Sequence, residues 1–289
     1  MILECIQKCI DTVSYVKDTS PRELLYPIHA SCDKIINKEN NFTRPCGICI
    51  RASYYSNIGF SEKNLDTGRF LSRKLGDFTE YMLLSLMEKS GSLVSKGDKF
   101  ILEEQKISGR IDAIIKYNNE DVGLEIKSIS SNKYILSKIF GGFAGSIPYP
   151  KVEHILQCMI YQYAFLSTLS KFVICYIRRD NGCIKEFEIS LFMEDNDFYP
   201  VIDGIVDRSI SLNNIFKRYD ILSNSIKNSI PPQRDYLTLY SPEYVTQLLD
   251  EKAMSYTSYK KWKDEPFGDY ECLNCYFKDI CDKDSKNEI

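Results

Sequence analysis

The chain has 289 residues, 44% of them hydrophobic and 27% charged, with a formal net charge of −3. This is enough apolar material for one large α/β domain, or for one domain plus a small appended lobe, and it excludes a disordered chain. The mild acidity argues against wholesale basic wrapping of nucleic acid but leaves room for a local basic cleft, because the field at a site depends on where charges sit.

From the N-terminus, Ile2, Ile6, Cys9, Val13 and Val16 keep a helical period, and helical patterning is expected over roughly the first 40 residues. Glu4, Lys8 and Asp11 interrupt any apolar run, so the segment reads as neither signal peptide nor anchor. No stretch approaches the roughly 20 apolar residues of a membrane span, and a cytoplasmic protein with no membrane partner is expected. Residues 43–60 break the pattern with Pro45, Gly47 and the pair Cys46 and Cys49. A helix is predicted from about Arg69 to Lys89, with a core stripe of Leu71, Leu75, Phe78, Met82 and Leu86. Gly76 inside it costs about 1 kcal/mol relative to Ala, which points to close approach of another element. Glu80, four residues on, shares its face.

Strands are predicted at about 99–105, 107–116 and 121–128, followed by a Gly/Pro loop at 141–150. A second helix starts at Pro150 and runs to about Ser170, with Val152, Ile155, Met159, Tyr163 and Leu166 as its core stripe. Gln157 and Tyr161 lie at i,i+4 on a different face, near His154. Strands at 171–179 and 184–190 come next, then a mostly helical stretch to about 264 and a cysteine-rich tail.

The stretch from Ile107 to Ser130 carries the chemistry. If Asn118-Asn119 is a two-residue turn, Ile115 pairs with Val122, Ala113 with Leu124 and Ile111 with Ile126, giving one wholly apolar face. The other face sets Asp112 opposite Glu125, with Cβ atoms about 5 Å apart, and Lys127 joins them two residues on. Facing carboxylates repel, and a divalent cation removes that cost; Mg²⁺ or Mn²⁺ suits an all-oxygen site. A metal with a nearby protonated lysine is what phosphodiester hydrolysis needs. The same register opposes Arg110 to Lys127, a like-charge contact that a bulge would relieve. An amphipathic hairpin with solvated charges is the alternative, because E-x-K is a common tripeptide.

Gly76-x-x-x-Glu80, Gly109-x-x-Asp112, Glu125-Ile126-Lys127 and Gln157-x-x-x-Tyr161 occur in that order. Together they resemble the motifs of the PD-(D/E)XK superfamily, most closely its RecB-like branch. The resemblance spans roughly residues 70–165 and implies a restriction-endonuclease-like α/β fold with a mixed central sheet flanked by helices. It implies a metal-dependent DNA nuclease, by analogy an exonuclease on DNA ends or single strands. Asp112, Glu125, Glu80 and the Ile126 carbonyl would bind Mg²⁺ or Mn²⁺. Lys127 would stabilise the transition state, and Gln157 and Tyr161 would support the site or the DNA. Many RecB-like members have His at the position of Glu80, a departure that bears on metal preference.

Eleven cysteines are many for a chain read as cytosolic, where buried thiols or metal ligands are the usual explanation. Cys49-Ile50-Arg51 with Tyr54-Tyr55 resembles the N-terminal cysteine motif of iron–sulfur RecB-like nucleases, the group of the CRISPR-associated exonucleases and the AddB nuclease domain. There, one cysteine precedes the nuclease motifs and three follow. The resemblance implies a 4Fe–4S cluster on Cys49, Cys272, Cys275 and Cys281, with Cys46 as an alternative first ligand and four-thiolate zinc as an alternative metal. Cys5, Cys9, Cys32, Cys158, Cys175 and Cys183 read as core. Arg51, Lys133, Lys138, Arg178 and Arg179 are candidate phosphate contacts. Tyr54 and Tyr55 would stack on bases or pack around the cluster. The expected organisation is one domain over residues 1–289, with a core at about 69–190 and a cluster lobe from 43–60 plus 265–289. DNA is the expected partner, with other DNA-processing proteins as further candidates. The rival reading is a non-catalytic DNA-binding or scaffold protein with a structural metal site.

Overall fold

The structure is a computed structural model, and it describes residues 26–27, 31–37, 42–60, 67–130, 133–141, 147–251 and 253–286. The expected N-terminal helix lies outside the described residues up to residue 25. The chain divides into two compact units, one of Met1–Ile28 and Asn64–Leu212, the other of His29–Lys63 and Asn213–Ile289. The residues of the expected cluster lobe, 43–60 and 265–289, belong to the second.

The helices are α1 (Ile50–Asn57), α2 (Thr67–Ser90), α3 (Lys133–Phe140), α4 (Val152–Ala164), α5 (Leu212–Asn228), α6 (Pro242–Asp250), α7 (Tyr256–Asp264), α8 (Tyr270–Leu273) and α9 (Lys278–Lys286). The strands are β1 (Tyr26–Pro27), β2 (Ser31–Asn37), β3 (Phe42–Gly47), β4 (Leu93–Lys96), β5 (Lys99–Leu102), β6 (Ile107–Arg110), β7 (Ala113–Tyr117), β8 (Glu120–Ile129), β9 (Phe172–Arg178), β10 (Ile184–Glu194), β11 (Asp197–Ile202) and β12 (Ile205–Val206). β2 and β3 form an antiparallel pair where helix and loop were expected. β11 and β12 likewise replace the start of the expected helical stretch.

The first unit is α/β, with a mixed seven-stranded sheet in the order β12-β11-β10-β9-β8-β7-β4 flanked by helices. Its one parallel pair, β8 with β9, lies inside the sheet. Parallel neighbours need a crossover, and α3 and α4 supply it. The β7–β8 hairpin keeps the predicted register, with Ala113 opposite Leu124 and Ile115 opposite Val122. Asn118 and Asn119 both adopt left-handed φ, 50° and 66°, which fits the primed turn that right-twisted hairpins favour.

The predicted 107–116 strand is interrupted. Ladder pairing stops at Ile111–Asp112, and β6 pairs with β5 in a separate sheet, placing Arg110 opposite Lys99. The like-charge contact with Lys127 therefore does not form as a cross-strand pair.

Side-chain alternation divides the sheet's two faces. Leu124, Ile126, Cys175 and Ile177 pack with Leu83 and Leu84 of α2. The predicted α2 stripe is not the buried one: Leu71, Leu75, Phe78, Met82 and Leu86 are all exposed. The helix carries two apolar stripes, and the less continuous one meets the sheet. Helix α4 ends at Ala164, short of Ser170, and is buried almost continuously from Ile155 to Gln162, while Leu166 is exposed. Of the cysteines read as core, Cys158 and Cys175 are buried but Cys183 is exposed; Cys5, Cys9 and the Cys32 side chain lie outside the described residues.

Two glycines carry different constraints. Gly76 rests against β8, but an added Cβ would meet Ser128 Oγ at 3.5 Å, an ordinary contact. Gly123 is opposite Phe172 across the parallel ladder, and a Cβ there would lie 2.3 Å from the ring. Phe172 is fully buried and packs on Tyr161 at 5.9 Å, so it has nowhere to move. In urea unfolding, Gly123→Ala is expected to destabilise by about 1–3 kcal/mol through overpacking. Gly76→Ala is expected to stabilise by roughly 0.5–1 kcal/mol through helix propensity. Equal responses would contradict this packing.

Candidate active site

All six side chains picked from the motifs belong to the first unit. Strand alternation puts Glu125 and Lys127 on the α4 side of β8, away from the α2 core. Glu125 is 1% exposed. Its Oε1 is ion-paired with Lys127 Nζ, and its Oε2 is buried without a hydrogen-bond partner among the described residues. An orphaned carboxylate oxygen in a dry site is costly, and a cation there would relieve it.

Asp112 reaches the same place from the interruption between β6 and β7. Its Oδ2 accepts a hydrogen bond from Ile126 N–H at 2.7 Å, and its own carbonyl accepts from Gly97 N–H at 3.1 Å. The break in the strand thus turns Asp112 from a ladder partner of Glu125 into a side chain fastened to β8. Burial, then the charge of Glu125, pushes the Asp112 carboxyl up to about 7. Burial also raises Glu125, against the pull of Lys127. Glu80, on α2, is raised by burial and then by Asp112, which sets it within electrostatic reach of the pair. Burial works to lower Lys127, but Glu125 and Asp112 outweigh it and hold the ammonium protonated.

Helix α4 completes the arrangement. Lys127 Nζ donates to Gln157 Oε1 at 3.0 Å, and Gln157 Nε2 donates to Tyr161 Oη at 2.6 Å. Tyr161 is buried edge-on to Phe100 at 5.6 Å, so it serves as a brace and not as a surface for a polymer. Tyr176 is the ladder partner of Lys127; its hydroxyl accepts from Lys151 N–H at 3.0 Å and lies 2.8 Å from His154 Nδ1. Burial, then the charges of Lys127 and Lys151, lowers His154, leaving it neutral and structural. The role of Tyr176 was invisible in the sequence, because it depends on which strand follows β8 in the sheet.

The other polar candidates divide. Arg51 is buried and donates to the Pro232 carbonyl at 2.5 Å. Arg178 is ion-paired with Asp180, and Arg179 donates to Ser72. Lys138 is exposed, and the Lys133 side chain lies outside the described residues. Tyr54 and Tyr55 are 3% and 1% exposed, so packing and not base stacking is their role.

In the second unit, Cys49, Cys272, Cys275 and Cys281 line one cavity with Arg51, Arg234 and Phe277. The approach is fixed by contacts distant in sequence. Asp235 accepts from Ile50 N–H at 2.7 Å and pairs with Arg218, capping α1 just beyond Cys49. Arg234 donates to the Cys281 carbonyl at 2.8 Å. Tyr55 Oη donates to Asp284 at 2.7 Å. Gly268 lets the chain cross residues 237–238, where a Cβ would come 2.2 Å from the Leu237 carbonyl oxygen. Burial, then the neighbouring Cys49, pushes the Cys272 thiol up to about 12; burial raises Cys49 and Cys275 as well. The backbone of Cys46 is in β3, opposite Cys32, and its side chain lies outside the described residues. Among the described residues, no group of three or more His, Cys, Asp or Glu forms a ready-made cage for a single metal ion. Among them, too, no helix is long and apolar enough to cross a membrane.

No family model and no curated protein matches the chain. Among solved structures, the chain is similar to one described as the crystal structure of SSO0001, with 24% identity and a TM-score of 0.35 over 67% of this chain and 80% of that one. A likeness at that score carries no argument about fold or function.

The Asp112 carboxyl is held protonated more tightly by the folded protein than by the unfolded chain. Its contribution to stability is present below its ordinary value near pH 4 and is lost as pH rises through about 7. In metal-free buffer, Asp112→Asn is therefore expected to be more stable than wild type at pH 8, by roughly 1–3 kcal/mol, with the gap closing toward pH 4. A gap independent of pH, measured by thermal unfolding, would refute this electrostatic picture.

Proposed function

We propose that the chain is a divalent-metal-dependent deoxyribonuclease of restriction-endonuclease-like fold, acting on DNA ends or single strands. The observation that carries the reading is the convergence of Asp112, Glu125 and Lys127 in one buried site, with Glu125 Oε2 without a hydrogen-bond partner among the described residues. That oxygen and the second Asp112 oxygen are hard donors suited to Mg²⁺ or Mn²⁺, with Glu80 and the Ile126 carbonyl as further ligands. When bound, such a cation neutralises the carboxylates and polarises a phosphoryl oxygen.

The protein's own residues do the rest. Lys127 keeps its proton and presents Nζ as a fixed positive charge toward the phosphate oxygens, where negative charge develops. Gln157 holds that ammonium from the helix side, and Tyr161 holds Gln157, so the lysine needs little reorganisation during reaction. The Asp112 bond to Ile126 N–H leaves that carboxylate one fixed orientation. The intact set weighs against the scaffold alternative, because a buried carboxylate with an unpaired oxygen costs stability and serves nothing in an inert domain.

The four cysteines fit a 4Fe–4S cluster, since four thiols from two distant segments line one cavity. When bound, the cluster would close the loop between Cys49 and Cys272 and stabilise the second unit.

With Mn²⁺, digestion of linear single- and double-stranded DNA is expected for wild type and a loss of at least about a hundredfold for Asp112→Ala. Equal digestion by both would refute the assignment. Anaerobically purified protein is expected to be brown with broad visible absorbance, lost in Cys49→Ala and retained in Cys46→Ala. A colourless protein containing zinc would favour the four-thiolate zinc reading instead.

A further inference from the structure

Helix α7 has the sequence Tyr-Thr-Ser-Tyr-Lys-Lys-Trp-Lys-Asp and buries no residue. It holds itself together locally: Ser255 caps it, its side-chain oxygen accepting from Ser258 N–H at 3.1 Å. Trp262 turns inward with its indole Nε1 buried and Tyr259 is half-buried, so the helix is seated on one side and its outward face is left to explain. Tyr256 is 65% exposed. Tyr256 and Tyr259 are neighbours with ring centroids 5.9 Å apart. Lys260 Nζ sits 5.0 Å over the Tyr256 ring, and Lys263 Nζ sits 5.2 Å over the Tyr259 ring.

These four residues occupy positions i, i+3, i+4 and i+7, which is one helix face. The interleaving matters. A helix that lies in a membrane interface segregates lysines from an apolar face. Here Lys260 and Lys263 lie over the Tyr256 and Tyr259 rings, so ammonium and aromatic groups share one face. That pattern fits a single-stranded polynucleotide, whose bases stack on aromatic rings while its phosphates take the lysines. The lysines also concentrate positive charge in a chain of net charge −3, so the attraction is local to this helix.

We propose that the Tyr256–Tyr259–Lys260–Lys263 face of α7 is a binding surface for single-stranded nucleic acid. The choice of ligand class rests on the nuclease reading above; the geometry does not. Tyr54 and Tyr55, the sequence's own stacking candidates, are buried, whereas Tyr256 is exposed with half-buried Tyr259 beside it.

The chain has a single tryptophan, Trp262, one helical turn from Tyr259, where it flanks this face with its indole Nε1 buried and reads binding beside it. The full chain in EDTA, where cleavage cannot proceed, is titrated with oligothymidylate while Trp262 emission and fluorescence anisotropy of a labelled oligonucleotide are followed. Saturable quenching is expected. Tyr256→Ala/Tyr259→Ala is expected to weaken binding at least roughly tenfold, without change in circular dichroism. Lys260→Ala/Lys263→Ala should lower the slope of log affinity against log salt by about 1.4. Wild-type affinity in the tyrosine pair variant, or anisotropy binding that leaves Trp262 emission unchanged, would overturn the proposal. So would binding to anionic phosphatidylserine vesicles in place of the oligonucleotide. Cleavage by a protein whose α7 variants bind normally would spare the nuclease reading and remove this one. Binding through α7 with no cleavage in Mn²⁺ would do the reverse.

Discussion

The first unit is organised around a carboxylate placed where water scarcely reaches. Glu125 lies within the sheet on a strand paired on both sides, and among the described residues only Lys127, two residues away on the same face, ion-pairs with it. Neither group can be moved alone. Removing the lysine would strand the acid, and removing the acid would strand the lysine, each at several kcal/mol. The neighbours read as consequences of holding this pair: Gln157 restrains the ammonium, Tyr161 restrains Gln157, and the Phe172–Gly123 contact sets the depth at which Tyr161 packs.

Much of this was legible in the sequence, and the reason is local. A two-residue asparagine turn and strict alternation fix the register from Ala113 to Val122, so the face shared by Glu125 and Lys127 follows from counting. The link at Ile111–Asp112 did not follow. It depends on β6 leaving the main sheet to pair with β5, and no periodicity in residues 107–116 announces the change. The α2 stripe failed for another reason. Both Leu71–Leu86 and Leu83–Met87 keep helical spacing, and the choice between them is made by β8, which the helix sequence does not contain.

The second unit was legible in its cysteines and illegible in its supports. The resemblance to iron–sulfur nucleases pointed to Cys49, Cys272, Cys275 and Cys281, which line one cavity. Asp235 at the start of α1 and Arg234 on the Cys281 carbonyl are joined to their partners across long stretches of chain, and a single acidic or basic residue in a loop gives no sign of such a role. Residues 43–60 look like a loop by their Pro and Gly content, yet they hold a strand and a helix, because Tyr54 and Tyr55 have a core to enter.

The parallel pairing of β8 with β9 also has a consequence in time. The β7–β8 hairpin closes over two residues and can form on the microsecond scale, but β9 joins only after the intervening crossover has been threaded and α4 laid against the sheet. Lys127 meets Gln157 at that late step. A chain emerging from the ribosome, or one transiently opened, therefore carries the acidic residues long before it carries the restrained lysine. Whatever reactivity the site has arrives only with the finished fold.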